Sequence, residues 1–332
     1  MKLEEIGFYT LEDRRAANVS LDSPLWRCEL LLTDKCNFSC PYCRGSNGYT
    51  KGELTDEEAK HVVDLWSSHR LKNIRFSGGE PTMVEYLPKL VRHTRARGVG
   101  RIAISTNGSA ETALYEELLN AGVNDFSISL DACCASTGDM MSGGVQGSWD
   151  IVKENIKFLS EHTYVTVGVV MTEDNLGELL DIIKFAASLG VKDIRIVSSA
   201  QWNSKEDIKN LLLDTGVNIT DYPILKYRVE NYCNNNNVRG IKDTDCDRCW
   251  LALDDMAIAG NYHFPCIIAM REGAEPIGTV QGKTMTQIRR ERLEWVKANR
   301  TIENRICRES CLDVCIFYSN KVEELNSGVR SL

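Results

Sequence analysis

Thr33-Asp34-Lys35-Cys36-Asn37-Phe38-Ser39-Cys40-Pro41-Tyr42-Cys43 places three thiols in one short loop, spaced C-x3-C-x2-C. No histidine or fourth cysteine follows within the next few residues. A structural zinc ion closes its shell with four ligands, which three thiolates do not supply. A 4Fe–4S cube held by three thiolates instead leaves one iron open to a substrate or cofactor. The stretch therefore reads as an iron–sulfur site rather than as three unrelated loop cysteines.

Further along, similar punctuation recurs behind short apolar runs. In Arg75-Phe76-Ser77-Gly78-Gly79-Glu80-Pro81 the two glycines lack Cβ, so the backbone can approach a ligand closely. Glu80 can accept a charge-assisted hydrogen bond from an ammonium group. Ser105-Thr106-Asn107-Gly108 and Ser129-Leu130-Asp131 put short polar groups at strand ends, where ligands gather in α/β folds. Taken singly, Gly-Gly and Asn-Gly are ordinary turns. Four such segments in order behind four strands are not coincidence.

These motifs resemble those of the radical SAM superfamily, with Tyr42 in the aromatic position of the C-x3-C-x-aromatic-C signature, and cover residues 26 to about 200. The resemblance implies that Cys36, Cys40 and Cys43 hold a 4Fe–4S cluster whose open iron chelates S-adenosylmethionine (SAM). One electron from the reduced cluster then cleaves SAM to methionine and a 5′-deoxyadenosyl radical. Tyr42, Gly78, Gly79, Glu80, Ser105, Asn107, Ser129 and Asp131 are the implied SAM-binding residues. A flavodoxin or ferredoxin is the implied electron donor.

Strands are expected at 26–32, 74–77, 102–105, 126–130, 164–171 and 194–197, with helices near 55–68, 83–97, 111–121, 148–160 and 176–188. Thr55-Asp56-Glu57-Glu58 opens the first helix as a capping box. Val152, Ile156 and Leu159 form a helical stripe facing the sheet. Six β-α repeats predict a parallel sheet and are too few for a closed eight-stranded barrel. The resemblance implies an α/β fold, a partial (β/α)6 TIM-type barrel with a small C-terminal iron–sulfur domain. The expected divisions are an N-terminal segment 1–22, the barrel 23–200 and the C-terminal domain 201–332, with transitions at 198–204 and 234–237.

A net charge of −8 over 332 residues gives no basic footprint for nucleic acid, and 43% hydrophobic residues suffice for a sizeable core. No 18-residue apolar run spans a membrane, and the N-terminus has no apolar signal region. Thirteen cysteines without a secretion signal point to metal ligation in a reducing, oxygen-poor cytoplasm.

Beyond residue 240 lie Cys246, Cys249, Cys266, Cys307, Cys311 and Cys315. A zinc ribbon shares the C-x2-C unit but not the lone Cys266 or the three-residue spacing of the last three. The layout resembles the SPASM or shortened twitch extension, with a hairpin of 253–259 and 262–266 around Gly260-Asn261. That resemblance implies one auxiliary 4Fe–4S cluster on Cys246, Cys249, Cys266 and either Cys311 or Cys315. Molybdenum cofactor cyclases share the size and an early cysteine motif but follow it with an arginine-rich strand, whereas here Trp250-Leu251-Ala252-Leu253 follows Cys249.

Cys133 and Cys134 are candidate hydrogen-atom donors to a substrate radical, or else small core residues. Arg195 alternates with apolar neighbours, so it either points into the barrel to bind a carboxylate or phosphate or forms a surface ion pair. Trp202 and Trp250 either line a pocket or pack. Cys28 reads as core and Cys233 as an exposed thiol. The expected function is hydrogen abstraction from a small molecule such as a sugar or aminoglycoside, or from a peptide. The alternatives are peptide cross-linking or epimerisation, nucleotide cyclisation, and a non-catalytic zinc or iron–sulfur protein. The acidic chain, and the 35 residues before Cys36, too few for a fused leader-recognition domain, tilt toward a small molecule or a short, separately delivered peptide.

Overall fold

The computed structural model describes residues 13–329 except 48–51, 200–207, 211, 213–214, 235 and 237. Trp202 and the division expected between residues 200 and 201 lie outside the described residues. Six strands, β1 (Arg27–Leu31), β2 (Asn73–Ser77), β3 (Arg101–Thr106), β4 (Asp125–Ser129), β5 (Tyr164–Met171) and β6 (Asp193–Ser198), pair in parallel in sequence order. Helices Asp56–Ser67, Leu87–Ala96, Thr112–Ala121, Ser148–His162 and Leu179–Ser188 alternate with them. This is the expected partial barrel.

Local chemistry sets the helix boundaries. Thr55 Oγ1 accepts from the Glu58 backbone N–H at 3.3 Å while the Glu58 carboxylate accepts from the Thr55 N–H at 2.8 Å, closing the capping box. The helix expected from 83 starts only at Leu87, because Pro81–Met83 forms a 3-10 turn behind Glu80. Ala135–Met141 is a short helix that the spacing did not reveal.

Strand alternation divides the sheet into two faces. Cys28, Leu30, Ile74, Phe76, Ile102, Ile104, Ile194 and Ile196 are buried in the main core, which they share with Val152, Ile156 and Leu159 of the predicted stripe. The opposite face carries Glu29 beside Arg75, Ser105 beside Ser127, and Gly168 beside Arg195. Polar and small residues on this second face leave a lumen inside the curl of the sheet. Arg195 is thus on the barrel-interior side.

The hairpin read around Gly260-Asn261 is present as β7 (Asp255–Ala259) and β8 (Tyr262–Phe264), and β9 (Gly278–Thr279) pairs with β8. β7 also lies parallel to β1 in full register from Arg27↔Asp255 to Leu31↔Ala259, so the nine strands form one sheet. The C-terminal cysteines are thereby tied to the barrel by backbone hydrogen bonds next to the strand that leads into the first cysteine loop. A second core joins helices Pro223–Cys233 and Asp313–Val329 through Ile224, Leu251, Val314, Tyr318 and Val322.

Candidate active site and auxiliary metal centre

The first cysteine loop leaves β1 at Thr33 and is held against the segment after β2. Gly79 N–H donates to Thr33 O at 2.8 Å and Glu80 N–H to Lys35 O at 2.8 Å. A Cβ on Gly79 would stand 2.1 Å from Lys35 O, a backbone atom that cannot step aside. The glycine therefore lets two backbones touch beneath Cys36. Gly79→Ala should lower stability by about 1–3 kcal/mol, as overpacking does, and reduce the iron retained on the first site. Iron analysis after anaerobic reconstitution and desalting checks this.

Glu80 is buried and accepts four hydrogen bonds. Oε1 takes Thr82 N at 3.0 Å, Thr82 Oγ1 at 2.7 Å and Thr106 Oγ1 at 2.7 Å, and Oε2 takes Asn107 N at 2.7 Å. Burial raises its carboxyl above the usual range, and these donors oppose the shift. Glu80 thereby fixes the end of β3, and Asn107 Nδ2 lies 3.9 Å from Cys36 Sγ and 2.8 Å from Asn37 Oδ1. The Phe38 N–H points at Cys36 Sγ from 3.4 Å.

On the other side, Tyr42 donates its hydroxyl to Asp131, which also accepts the Val170 N–H at 2.6 Å. Burial lifts the Asp131 carboxyl to about 6. Cys40, Tyr42, Asn107, Ser129 and Asp131 line one cleft of about 70 Å³. The structure so gathers the sequence-read residues at one end of the barrel, with Gly78, Gly79 and Glu80 behind the cysteine loop and Ser105 half-buried on β3.

Burial pushes the Cys40 thiol up to about 12 and also raises Cys36, and the neighbouring Cys43 adds to both shifts. Two buried thiols that resist a negative charge, with a third on the same loop, suit a cationic core that would ionise them. Their sulfurs do not all lie within 4.8 Å of one another, whereas a four-thiolate zinc tetrahedron has edges of about 3.8 Å. As they stand, the three sulfurs do not form a single-ion trio.

All six C-terminal cysteines line one cavity of about 250 Å³. Cys246, Cys249, Cys266, Cys311 and Cys315, read from the sequence, are together there, and Cys307, left open by its spacing, joins them. Burial raises Cys246 and Cys307 to about 11 and Cys266 to about 12. Cys249 is pushed well above its ordinary range by burial, and Cys311 first by its hydrogen bond with Cys315. No three of these sulfurs meet within 4.8 Å either. The cavity suits a bulky cluster with more thiols than the four it needs.

Arg292, fully buried, bonds to the backbone of Pro265, a residue that lines this cavity. Its guanidinium donates to Ala252 O at 2.5 Å, Phe264 O at 2.8 Å, Asp255 O at 2.8 Å and Pro265 O at 3.0 Å. It thus staples the turn after Cys249 to the residues just before Cys266. Trp250 opens this turn, packs against its buried residues and donates Nε1 to Glu323 at 2.6 Å.

Cys133 and Cys134 lie beyond β4 and face Glu178 from the loop after β5. Cys28 is core as expected; Cys233 is half-buried against the core rather than exposed.

Inside the lumen, Arg75 lies within electrostatic reach of Glu29 and Arg195. Arg271, at the end of helix Ile267–Arg271, is within reach of Glu29, Arg44, Cys43 and Arg195. Burial lowers Arg75 to about 10 and also lowers Arg271. Arg44 is paired with Glu272. Glu29 accepts from Ser77 Oγ at 3.1 Å, and the Arg195 Nε is buried without a hydrogen-bond partner. Arg75 and Glu29 escaped the sequence reading, although the alternation that singled out Arg195 marks them equally. Arg271 has no such signal, because only the folding of its helix brings it here.

Comparison with known proteins agrees with this geometry. The sequence profile of the Radical SAM superfamily matches residues 30–186. A probable GTP 3′,8-cyclase of Thermococcus kodakarensis is 29% identical over 172 residues, covering 50% of this chain and 55% of the cyclase. An AdoMet-dependent heme synthase of Methanosarcina barkeri is 31% identical over 163 residues, covering 48% of this chain and 46% of the synthase. The chain thus spans about half the length of these curated relatives. Native anSMEcpe with bound AdoMet superposes over 92% of this chain and 97% of its own, with a TM-score of 0.59 at 14% identity. Streptococcus suis SuiB bound to its precursor peptide SuiA covers 82% of this chain and 66% of its own, also with a TM-score of 0.59 and 14% identity. The fold is shared by both. With its cysteine loop, glycine cradle and strand-end polar groups in place, the chain carries a radical SAM domain, whose family uses a 4Fe–4S cluster and SAM.

Proposed function

We propose that the protein is a radical SAM enzyme that takes a hydrogen atom from an anionic substrate held by the lumen arginines. The observation that carries this reading is the charge inside the barrel. Arg75, Arg195 and Arg271 face Glu29 and Asp131, and Asp131 is already engaged by Tyr42 and Val170. Arg195, whose Nε is buried without a hydrogen-bond partner, stands with Arg271 in a partly desolvated chamber beside Cys43, where a carboxylate or phosphate gains a charge-assisted, bidentate partner. When bound, the reduced cluster supplies the electron that turns SAM into a hydrogen-abstracting radical.

The chain's own residues then have separable roles. Cys36, Cys40 and Cys43 hold the cluster, and Glu80 and Asn107 keep the loop beneath it rigid. Tyr42, Ser129 and Asp131 form the neighbouring wall, and Arg195 orients the substrate. The C-terminal cysteines hold an auxiliary cluster that receives an electron from the substrate or anchors it. The thirteen thiols suit a reducing cytoplasm, with a flavodoxin or ferredoxin as electron source. No described helix is long and apolar enough to cross a membrane.

The anionic class includes sugar acids, nucleotides and a peptide carboxylate. GTP, the substrate named for the cyclase relatives, is disfavoured, because Trp250–Leu253 is an apolar 3-10 turn where an arginine-rich strand would be needed. Anaerobic protein with SAM and dithionite should form 5′-deoxyadenosine faster when given the anionic fraction of small molecules from a cell extract than when given neutral or cationic fractions. Arg195→Gln should raise the amount needed for half-maximal stimulation about 10- to 100-fold, the loss of one charge-assisted contact. Arg195→Lys should recover part of it. Equal response to all fractions, or an unchanged Arg195→Gln response, would sink the reading.

A further inference from the structure

Of the four cysteines outside both cluster sites, Cys133 and Cys134 stand side by side in the sequence. Cys133 Sγ, Cys134 Sγ and a Glu178 carboxylate oxygen all lie within 4.8 Å of one another, the one such trio of His, Cys, Asp or Glu ligand atoms among the described residues. Cys133 Sγ stands 3.3 Å from Glu178 Oε2, which also accepts the Cys133 backbone N–H at 3.3 Å. Thr137 donates its hydroxyl to the other Glu178 oxygen, and Ser136 Oγ lies 3.2 Å from Cys134 Sγ.

The two loops that bring these groups together are locked by a residue outside the trio. Asn175 is fully buried; its Nδ2 donates to Asp131 O at 2.8 Å and to Val170 O at 3.0 Å, and its Oδ1 accepts the Thr172 N–H at 2.8 Å. The loop after β5 is thereby pinned to the segment after β4. Trp149 adds a hydrogen bond from Nε1 to Ala132 O at 3.2 Å, immediately before the cysteine pair. The carboxylate is also oriented by a backbone N–H and a hydroxyl, the outer support that metal ligands characteristically have.

We infer that Cys133, Cys134 and Glu178 form a third metal site, for a borderline-soft divalent cation such as zinc. Two thiolates and a carboxylate select zinc over magnesium or calcium, which prefer all-oxygen shells. Zinc bonds of about 2.3 Å to sulfur and 2.0 Å to oxygen put neighbouring ligands about 3.5 Å apart in a tetrahedron, close to the 3.3 Å between Cys133 Sγ and Glu178 Oε2. The site is half-buried, so its fourth position is open to water or the Ser136 hydroxyl. Binding releases the two thiol protons to solvent and involves no electron transfer.

The test uses anaerobic protein reconstituted with iron and sulfide, then titrated with Zn²⁺ against a chromophoric chelator. One zinc per chain should bind without loss of iron, and zinc-edge X-ray absorption should show about two sulfurs near 2.3 Å. In the variant combining Cys133→Ser, Cys134→Ser and Glu178→Gln, zinc affinity should fall at least tenfold at wild-type iron content. Unchanged zinc uptake in that variant, or zinc that enters only as iron leaves, overturns the site. If the triple variant cannot hold iron, Glu178→Gln alone decides. Zinc affinity at least tenfold weaker with iron retained supports the site, and unchanged affinity overturns it.

Discussion

Replacing Cys36, Cys40 and Cys43 together by Ala should reduce 5′-deoxyadenosine formation from SAM to the background without enzyme. It should also halve the bound iron, from about eight per chain to about four, the content of one remaining four-iron cluster. The reasoning is local. The three thiols share one loop, pinned to the Gly78-Gly79-Glu80 segment by the bonds to Thr33 O and Lys35 O. The C-terminal cavity draws its own six thiols from other elements. Losing the first set should therefore leave the second loaded. Iron and sulfide analysis, with chromatographic detection of 5′-deoxyadenosine after dithionite reduction, measures both. Wild-type-like SAM cleavage in the triple variant would remove the assignment of the first site. Iron falling to zero, or zinc in its place, would remove the auxiliary cluster.

Asp313→Ala should cost about 3–5 kcal/mol of stability, the penalty for removing one partner of a buried ion pair. Arg228 and Asp313 have side chains 1% and 0% exposed, and Arg228 Nη1 reaches both carboxylate oxygens at 2.6 Å. Asn231 Nδ2 adds a third bond at 2.8 Å. Burial raises the Asp313 carboxyl above its usual range despite Arg228, so the pair is held at a desolvation cost. Removing Asp313 takes away the carboxylate that faces the buried guanidinium. Replacing both partners, Arg228→Met with Asp313→Leu, should recover most of the loss, because an apolar pair avoids that penalty. Anaerobic urea unfolding of the wild type, the single variant and the double variant measures both effects. Equal losses in the single and double variants would show that the pair is not what joins these helices. Asp313 opens the helix that carries Cys315, so the single variant should also lose iron from the auxiliary site faster on dilution.

What the sequence alone determined is chiefly what is local or periodic. The C-x3-C-x2-C spacing, the Gly-Gly cradle, the Thr55–Glu58 capping box and the alternation of strand residues are each written within a few neighbouring positions, where backbone geometry leaves few choices. The six strands, the helical stripe of Val152, Ile156 and Leu159, and the hairpin at Gly260-Asn261 follow from such patterns. The tertiary structure alone decided which distant segments meet. β7 pairing beside β1, Arg271 entering the lumen, Cys307 joining the five other thiols, and Glu178 closing on Cys133 and Cys134 each join residues far apart in the chain. No short-range pattern encodes these meetings. They arise because burying both faces of one sheet leaves the connecting loops only certain places to go.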